Sequence, residues 1–302
     1  MKSHLWFTGL LSLGLLLTGC EKAPPSTNRP SAAAATERKI PSLTTRAESG
    51  DAQAQNELGV IYFQGVDGVA KDAAKAVAWY QRAAAQGNAD AQYALALCYA
   101  EFGLWNAGLS IPDCGNAVSK DDAKAGEWFQ KAAAQGLAKA QYCLGQRYRL
   151  GEGVPKDPTK AFEWMKKAAI QGMPNAQAWL GVEYQAGDGI PTDFAKAAQW
   201  YQLAAVRGYM PAQFMLSGMY ERGQGVPQDM VLAYAWSNVA THAGNVGTTL
   251  AVMRRENVAR RMSTGEIGEA QRLSASWKQG QTLAREGNPP AQARRHLPLP
   301  EA

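Results

Sequence analysis

The chain has 302 residues and a formal net charge of +5, with three His and four Cys. Residues 50–243 carry 16 Lys/Arg and 18 Asp/Glu, a net of −2, whereas residues 244–302 carry nine basic and five acidic residues, a net of +4. A nucleic-acid-binding protein would normally place positive charge on its folded body, so this distribution argues against one. No Cys or His pair has the spacing of metal ligands, and we predict neither a metal nor another cofactor.

Residues 1–19 are predicted to be a signal peptide. A short basic start is followed by an apolar stretch, residues 5–19, that is too short to span a bilayer comfortably. The stretch leads into LTGC, which ends at Cys20 and resembles the lipobox of bacterial lipoproteins. The resemblance implies cleavage before Cys20 and lipidation of that residue, and Glu21 after it favours the outer membrane over the inner, facing the periplasm. The alternative is an ordinary secretory signal followed by a chance cysteine.

Residues 20–45 are predicted to form the lipidated Cys20 and a flexible linker. Within them, residues 21–42 are rich in Pro, Ala and Ser and contain no aromatic residue. This stretch lacks the apolar side chains whose burial would offset the entropy lost on ordering it. From about residue 46 onward the composition is that of a globular domain.

Residues 46–243 contain one pattern five times. The phrase LGQRYRLGEGVPKDPTKAFEW begins at Leu144, and close variants begin 36 residues apart at Leu180 and Leu216. In each copy the Ala of an Ala-Gln pair, a Leu and a Tyr recur at intervals of four, which places them on one helical face. A Gly then ends the first helix, and an Asp caps a second helix that carries Ala-x-x-Trp. We therefore predict five helical hairpins, at about 50–86, 87–135, 136–171, 172–207 and 208–243.

These repeated residues resemble the Sel-one-like repeat, a relative of the tetratricopeptide repeat. The resemblance implies an all-α fold, a right-handed α/α superhelical solenoid that serves mainly as an adaptor in protein complexes. Residues 244–279 are predicted to add C-terminal capping helices, since Ser263 and Glu266 have capping-box spacing. Residues 280–302 are predicted to be a mobile tail.

The second unit is longer than the others because residues 100–120 insert between its two helices. Cys114 lies in this insertion and Cys98 on the preceding helix, so a disulfide between them would close a loop of about sixteen residues in an oxidising periplasm. The alternative is that both are free thiols. Cys143 would either take one of them as a partner or remain buried and reduced.

We expect a protein that is not an enzyme, because the sequence has no nucleophile elbow, zinc-protease motif or phosphate-binding loop. Some cysteine-rich relatives of this repeat have been linked to penicillin binding and β-lactam hydrolysis. A cell-wall or β-lactam-directed hydrolase is therefore an alternative, although the chain has neither Ser-x-x-Lys nor Lys-Thr-Gly. A purely structural envelope component is a third hypothesis.

A second stripe on the first helix of each unit varies between copies and predicts a partner-binding groove. By analogy with tetratricopeptide solenoids, this stripe would line the concave face. Its candidate contact residues are Tyr93, Lys139, Tyr142, Gln146, Arg149 and Phe214. The alternative is that the aromatic members pack between neighbouring repeats. The predicted partner is an envelope protein or peptide, with membrane contact through the lipid anchor and none with nucleic acid.

Overall fold

The computed structural model describes residues 32–66, 68–100, 114, 117–187, 190–242 and 248–285, so the predicted signal peptide and Cys20 lie outside it. The described residues form helices joined by turns, without a strand, which confirms the all-α fold. Helices α1 to α13 are, in order, Ala32–Glu48, Ala52–Gln64, Ala73–Ala85, Ala89–Tyr99, Asp122–Ala134, Ala138–Leu150, Pro158–Ile170, Pro174–Ala186, Phe194–Val206, Met210–Arg222, Met230–Thr241, Thr248–Ala259 and Thr264–Ser276. From α1 to α12 each helix packs against the next, and α13 packs on α11, as in a solenoid.

Helices α2 to α11 form five hairpins that close in the same way. The second helix of each begins after an Asp whose carboxylate accepts a hydrogen bond from the backbone N–H three residues later. The same Asp donates its own N–H to a Tyr carbonyl of the first helix, as Asp157 does to Tyr148 at 2.8 Å. In four hairpins a Lys lies over that Tyr ring, and Lys160 also pairs with Asp157. The fifth hairpin lacks the Lys, and there Arg285 lies 3.5 Å from the carboxylate of Asp229.

A ladder of buried glutamines joins each hairpin to the helix before it. The Gln of each Ala-Gln pair donates its Nε2 to a carbonyl at the end of the preceding helix. These donor and acceptor pairs are Gln55 and Ala47, Gln92 and Ala84, Gln141 and Ala133, Gln177 and Ala169, and Gln213 and Ala205. In the first three hairpins the Oε1 of this first-helix Gln also accepts a hydrogen bond from a second Gln, which follows the second helix of the same hairpin. These second glutamines are Gln86, Gln135 and Gln171. The ladder thus pairs carbonyls that a helix end leaves without a partner.

The ladder is interrupted in the fourth hairpin. Arg207 occupies the position of the second Gln and donates to the carbonyl of Leu203, 3.0 Å away, instead. As a result, the buried Oε1 of Gln177 has no hydrogen-bond partner among the described residues.

The N-terminal linker prediction is wrong for residues 32–45, which belong to α1. Leu43 and Ala47 are buried against Ala54 and Leu58 of α2. Because Ala47 also accepts the first rung of the glutamine ladder, α1 acts as the helix that would precede a first hairpin. It therefore covers one end of the solenoid.

The insertion in the second hairpin does not change how that hairpin closes. The N–H of Asp121 still donates to the carbonyl of Tyr99 at 2.9 Å, as in the hairpins without an insertion. Cys98 and Cys114 form a disulfide with their Cα atoms 5.4 Å apart, the pairing that the sequence favours. Residues 101–113 lie outside the described residues.

The prediction that residues 280–302 form a mobile tail is wrong for the first residues of that range, which pack on the helices. The N–H of Gly280 donates to the carbonyl of Val206 at 2.6 Å, and Leu283 is 4% exposed. Residues 280–285 therefore lie on the solenoid, and the rest of the predicted tail falls outside the described residues.

The C-terminal elements cover the side of the solenoid that the earlier repeats leave accessible. Trp200 and Trp236 are 1% and 0% exposed, and Trp277 packs edge-on against Trp236. Their counterparts in the first three hairpins are only partly buried, each beneath a cation: Trp79 under Arg82, Trp128 under Lys131 and Trp164 under Lys167. The fourth and fifth hairpins are thus the more enclosed part of the molecule.

We predict that Arg207→Gln raises the free energy of unfolding by about 1 kcal/mol, because the new amide would donate to the orphaned Oε1 of Gln177. The matched control, Gln171→Arg, should lower it by about 1–3 kcal/mol by leaving the Oε1 of Gln141 unpaired. Urea denaturation followed by circular dichroism measures both. An unchanged or lower midpoint for Arg207→Gln would contradict the ladder as a source of stability.

Candidate functional site

Tyr142 lies in the core rather than on an open surface. Its side chain is 6% exposed and belongs to the main hydrophobic cluster. Its hydroxyl accepts a hydrogen bond from Nε2 of Gln146 at 3.1 Å, and Gln146 accepts from Nε of Arg149 at 2.9 Å. Of the two roles open to Tyr142, this burial favours packing between repeats over an exposed anchor. Gln146 and Arg149 extend from it towards the surface.

Tyr93, which is half-buried, pairs with the buried thiol of Cys143. The Tyr93 ring packs edge-on against Phe129, with ring centroids 6.0 Å apart, and its hydroxyl is hydrogen-bonded to the Cys143 thiol. Burial raises the pKa of Cys143 to about 12 and also raises the pKa of Tyr93. The thiol of this free cysteine therefore stays protonated, so it is not poised as a nucleophile.

Lys139 and Phe214 are more exposed than Tyr142, as residues of a partner-binding stripe should be. Lys139 is exposed at the start of α6, and Phe214 on α10 is half-buried. The guanidinium of Arg254 lies over the Phe214 ring, 3.8 Å from its centroid. Of the predicted stripe, Tyr142 is therefore buried, Lys139 is exposed, and Gln146, Arg149 and Phe214 are half-buried.

A groove of about 810 Å³ instead opens at the boundary between the third and fourth hairpins. Its apolar lining combines aliphatic and aromatic side chains, Leu150, Phe162, Trp179 and Ile190. Charged side chains of both signs stand beside them, Arg149, Lys156, Glu163 and Glu183. Leu150 is 42% exposed, so an apolar part of this surface is open to a partner.

Two other hairpin boundaries are closed by a loop that lies directly on the preceding repeat. At one of them, a Cβ on Gly153 would overlap the carbonyl oxygen of Asp122, and at the other a Cβ on Gly225 would overlap that of Phe194. Helix α5 has no side chain where it faces the loop that contains Gly153, because a Cβ on Gly126 would lie 2.8 Å from the Gly153 carbonyl oxygen. Small residues on both sides are therefore needed for this close approach.

The third boundary differs from these two at Phe162. This residue occupies in the third hairpin the position that Gly126 has in the second, and its ring is half-buried and lines the groove. The ring packs against Trp179 and Tyr184, with centroids 6.2 Å from each. Ile190 of the next loop is only half-buried, whereas its two counterparts are each 8% exposed. The third boundary therefore carries a bulky residue at the position that is Gly126 at the second boundary and Ala198 at the fourth.

The sequence analysis missed Phe162 and Trp179 because it searched only the variable stripe of the first helices. The signal was present as a departure from the repeat. The residues at the Trp179 position in the other four hairpins are Glu57, Ala94, Cys143 and Met215. A single large aromatic at such a position indicates a role that the repeat itself does not require.

The described residues contain no helix long and apolar enough to cross a bilayer, and no cluster of side chains suited to hold a metal ion.

Tyr142→Ala is expected to lower the free energy of unfolding by about 3–4 kcal/mol, as for other large aromatic side chains removed from a core. Tyr142→Phe, which removes only the hydroxyl bonded to Gln146, should cost about 1 kcal/mol. Urea denaturation of both variants measures the difference. A loss below about 1 kcal/mol for Tyr142→Ala would return this residue to the exposed surface.

Comparison with known proteins identifies the repeats. The family model described as the Sel1 repeat matches five consecutive segments, residues 52–88, 89–137, 138–173, 174–209 and 211–245. A search of curated proteins gives no match.

Two solved structures are similar to the chain. One is a protective antigen present in uropathogenic Escherichia coli strains that displays an SLR fold; it is 34% identical, with a TM-score of 0.66, over 78% of this chain and 47% of its own. The other, a Sel1 repeat protein from Oxalobacter formigenes, is 33% identical, with a TM-score of 0.60, over 70% of this chain and 57% of its own. The match thus spans about half the length of these relatives. Such repeats generally mediate protein–protein interactions and are typically not enzymes, and the chain described here belongs to the Sel1 repeat family.

Proposed function

We propose that the protein is a scaffold, lipid-anchored at the bacterial envelope, that binds a protein segment in the groove between its third and fourth repeats. The groove carries this proposal, because the bulky Phe162 lines an open boundary between repeats, whereas glycines allow a loop to lie directly on the preceding repeat at two other boundaries. Trp179 adds a large aromatic surface beside it. Aromatic side chains in such positions commonly supply most of the binding energy of an interface.

The lining of the groove indicates what it binds. Apolar side chains form its floor, and Lys156 and Glu163 beside them make no ion pair within the described residues. An extended segment with apolar side chains between charges of both signs would match this pattern. The occupant is therefore a peptide segment of another protein rather than a small apolar molecule.

Site-specific photocrosslinking in the native envelope tests the groove. We expect a benzophenone amino acid at Leu150 to capture one protein reproducibly, because Leu150 lies on the open apolar lining. Ile170 is the matched control, since it is 44% exposed against 42% for Leu150 but lies at the other end of α7 from the groove. Trp179→Ala should abolish capture from Leu150 while the protein remains folded by circular dichroism.

Identical products from Leu150 and Ile170 would contradict a specific groove. The absence of a crosslink from either position would favour a purely structural envelope component. Turnover of a chromogenic β-lactam by the purified protein would instead favour the hydrolase alternative.

The anchor and the location form the second part of the proposal. The lipobox-like sequence ending at Cys20 supports lipidation, and Glu21 supports outer-membrane placement facing the periplasm. The disulfide between Cys98 and Cys114 is in keeping with an oxidising compartment. A membrane-tethered scaffold would hold its partner close to the envelope.

We expect Cys20→Ser to abolish incorporation of labelled palmitate and to release the protein from the membrane fraction. The reason is that the residue would no longer offer a thiol for the lipid. Cys143→Ser serves as the control, because that thiol is buried and should not change either result. Labelling that persists in Cys20→Ser would point to the ordinary secretory signal.

A further inference from the structure

Two arginines converge over a glycine on α10, which is the first helix of the fifth hairpin. A Cβ on Gly218 would collide with Nη1 of Arg254 and would lie 3.2 Å from Nη1 of Arg222. The missing side chain therefore lets both guanidinium groups approach the same point of the helix surface. Two positive charges that approach the same point of a helix repel each other, and an anion between them would offset that repulsion.

The contacts of these arginines hold them in place but leave the pair with excess positive charge. Arg254 donates to the carbonyl oxygen of Phe214 at 2.7 Å and stacks on its ring. Arg222 donates its Nε to the side-chain oxygen of Gln224 at 2.6 Å. Both of these acceptors are neutral.

The acidic side chain that interacts with Arg254 already forms an ion pair with another arginine. Glu221 forms an ion pair with Arg261 at 3.2 Å and also interacts electrostatically with Arg254, so one negative charge is shared between two arginines. Partial burial lowers the pKa of Arg254, and the neighbouring charge of Arg222 lowers it further. Glu221 opposes this shift, and an additional anion would act in the same direction as Glu221.

An exposed apolar surface lies beside the arginine pair. Leu250 and Met253 on α12 are 58% and 55% exposed, the highest values among the large apolar side chains described. Leu250 precedes Arg254 by four residues, so the two side chains share one helical face. A ligand that reached the arginines would therefore also meet apolar surface.

We propose that Arg222 and Arg254 bind a side-chain carboxylate of an acidic partner peptide, whose apolar residues lie on Leu250 and Met253. Guanidinium groups suit this task because they donate two parallel hydrogen bonds to one carboxylate. The inference rests on the proposed scaffold function and adds the chemical class of its partner. Arg222 occupies in the fifth repeat the position that Leu150 has in the third, so both sites face the same edge of the solenoid.

Fluorescence anisotropy with the full mature chain tests this site. The probe is a fluorescein-labelled peptide of alternating Leu and Glu, with a Leu and Gln peptide of equal length for comparison. We expect the acidic peptide to bind at least about tenfold more tightly than the neutral one, and Arg222→Gln to remove most of that difference. Arg222 is exposed, so this variant should remain folded, and Arg254→Gln should weaken binding to a similar extent.

The matched control is Arg82→Gln, which removes an exposed arginine over Trp79 in the first hairpin. It should leave the affinity unchanged. Equal affinity of the wild-type chain and Arg222→Gln for the acidic peptide would overturn the proposal, as would a wild-type chain that binds neither peptide. Arginine-dependent binding to phosphatidylglycerol vesicles without binding to the peptide would also overturn it, by assigning the arginines to a membrane surface.

The two proposals fail separately. Crosslinking from Leu150 reports on the groove of the third and fourth repeats and does not depend on Arg222. If that capture persists while the acidic peptide fails to bind, the scaffold function stands and the carboxylate site does not.

Discussion

The buried glutamine that begins each repeat fixes how one hairpin sits on the next. Its amide lies where water does not reach, and an unpaired buried amide would cost about 1–3 kcal/mol. Its Nε2 finds its partner only at the end of the preceding helix, so a hairpin that slid or rotated would lose that bond. Apolar packing of small alanines permits many offsets between helices, whereas this hydrogen bond permits one. The regular stacking of the five hairpins, and the surfaces they present, depend on it.

The hairpins were predictable because their signals are local. The Asp that caps each second helix and the Gly that ends a first helix act within one or two turns, so the sequence alone reveals them. Contacts between distant segments were not predictable in this way. The composition of residues 21–42 indicated a linker, but Leu43 and Ala47 gain a partner in α2 that composition does not show. Leu283 is likewise buried only because the C-terminal segment returns to helices far earlier in the chain.

The candidate groove was harder to predict than the fold, since it arises from exceptions to the repeat. The repeated residues build the solenoid, and a search among the variable positions of the first helices led to Tyr142, which the neighbouring repeats bury. Phe162 lies on a second helix and contacts Trp179 and Tyr184 of the next repeat, so a search confined to the first helices could not find it. A large side chain at a boundary where Gly126 or Ala198 stands in the neighbouring hairpins leaves less room for close packing between two repeats. Gly218 illustrates the reverse case, in which a missing side chain admits two arginines.

The closure of the second hairpin has a consequence for how this architecture can change. Asp121 and Tyr99 keep the bond that their counterparts make across a much shorter connection, and a disulfide joins Cys98 of α4 to Cys114 within the insertion. Length added at this point therefore leaves the hydrogen bond that closes the hairpin in place. Such a position can acquire new sequence by mutation or by engineering while the register of the remaining repeats is preserved. The second hairpin is in this sense a ready attachment point for a grafted peptide or reporter domain.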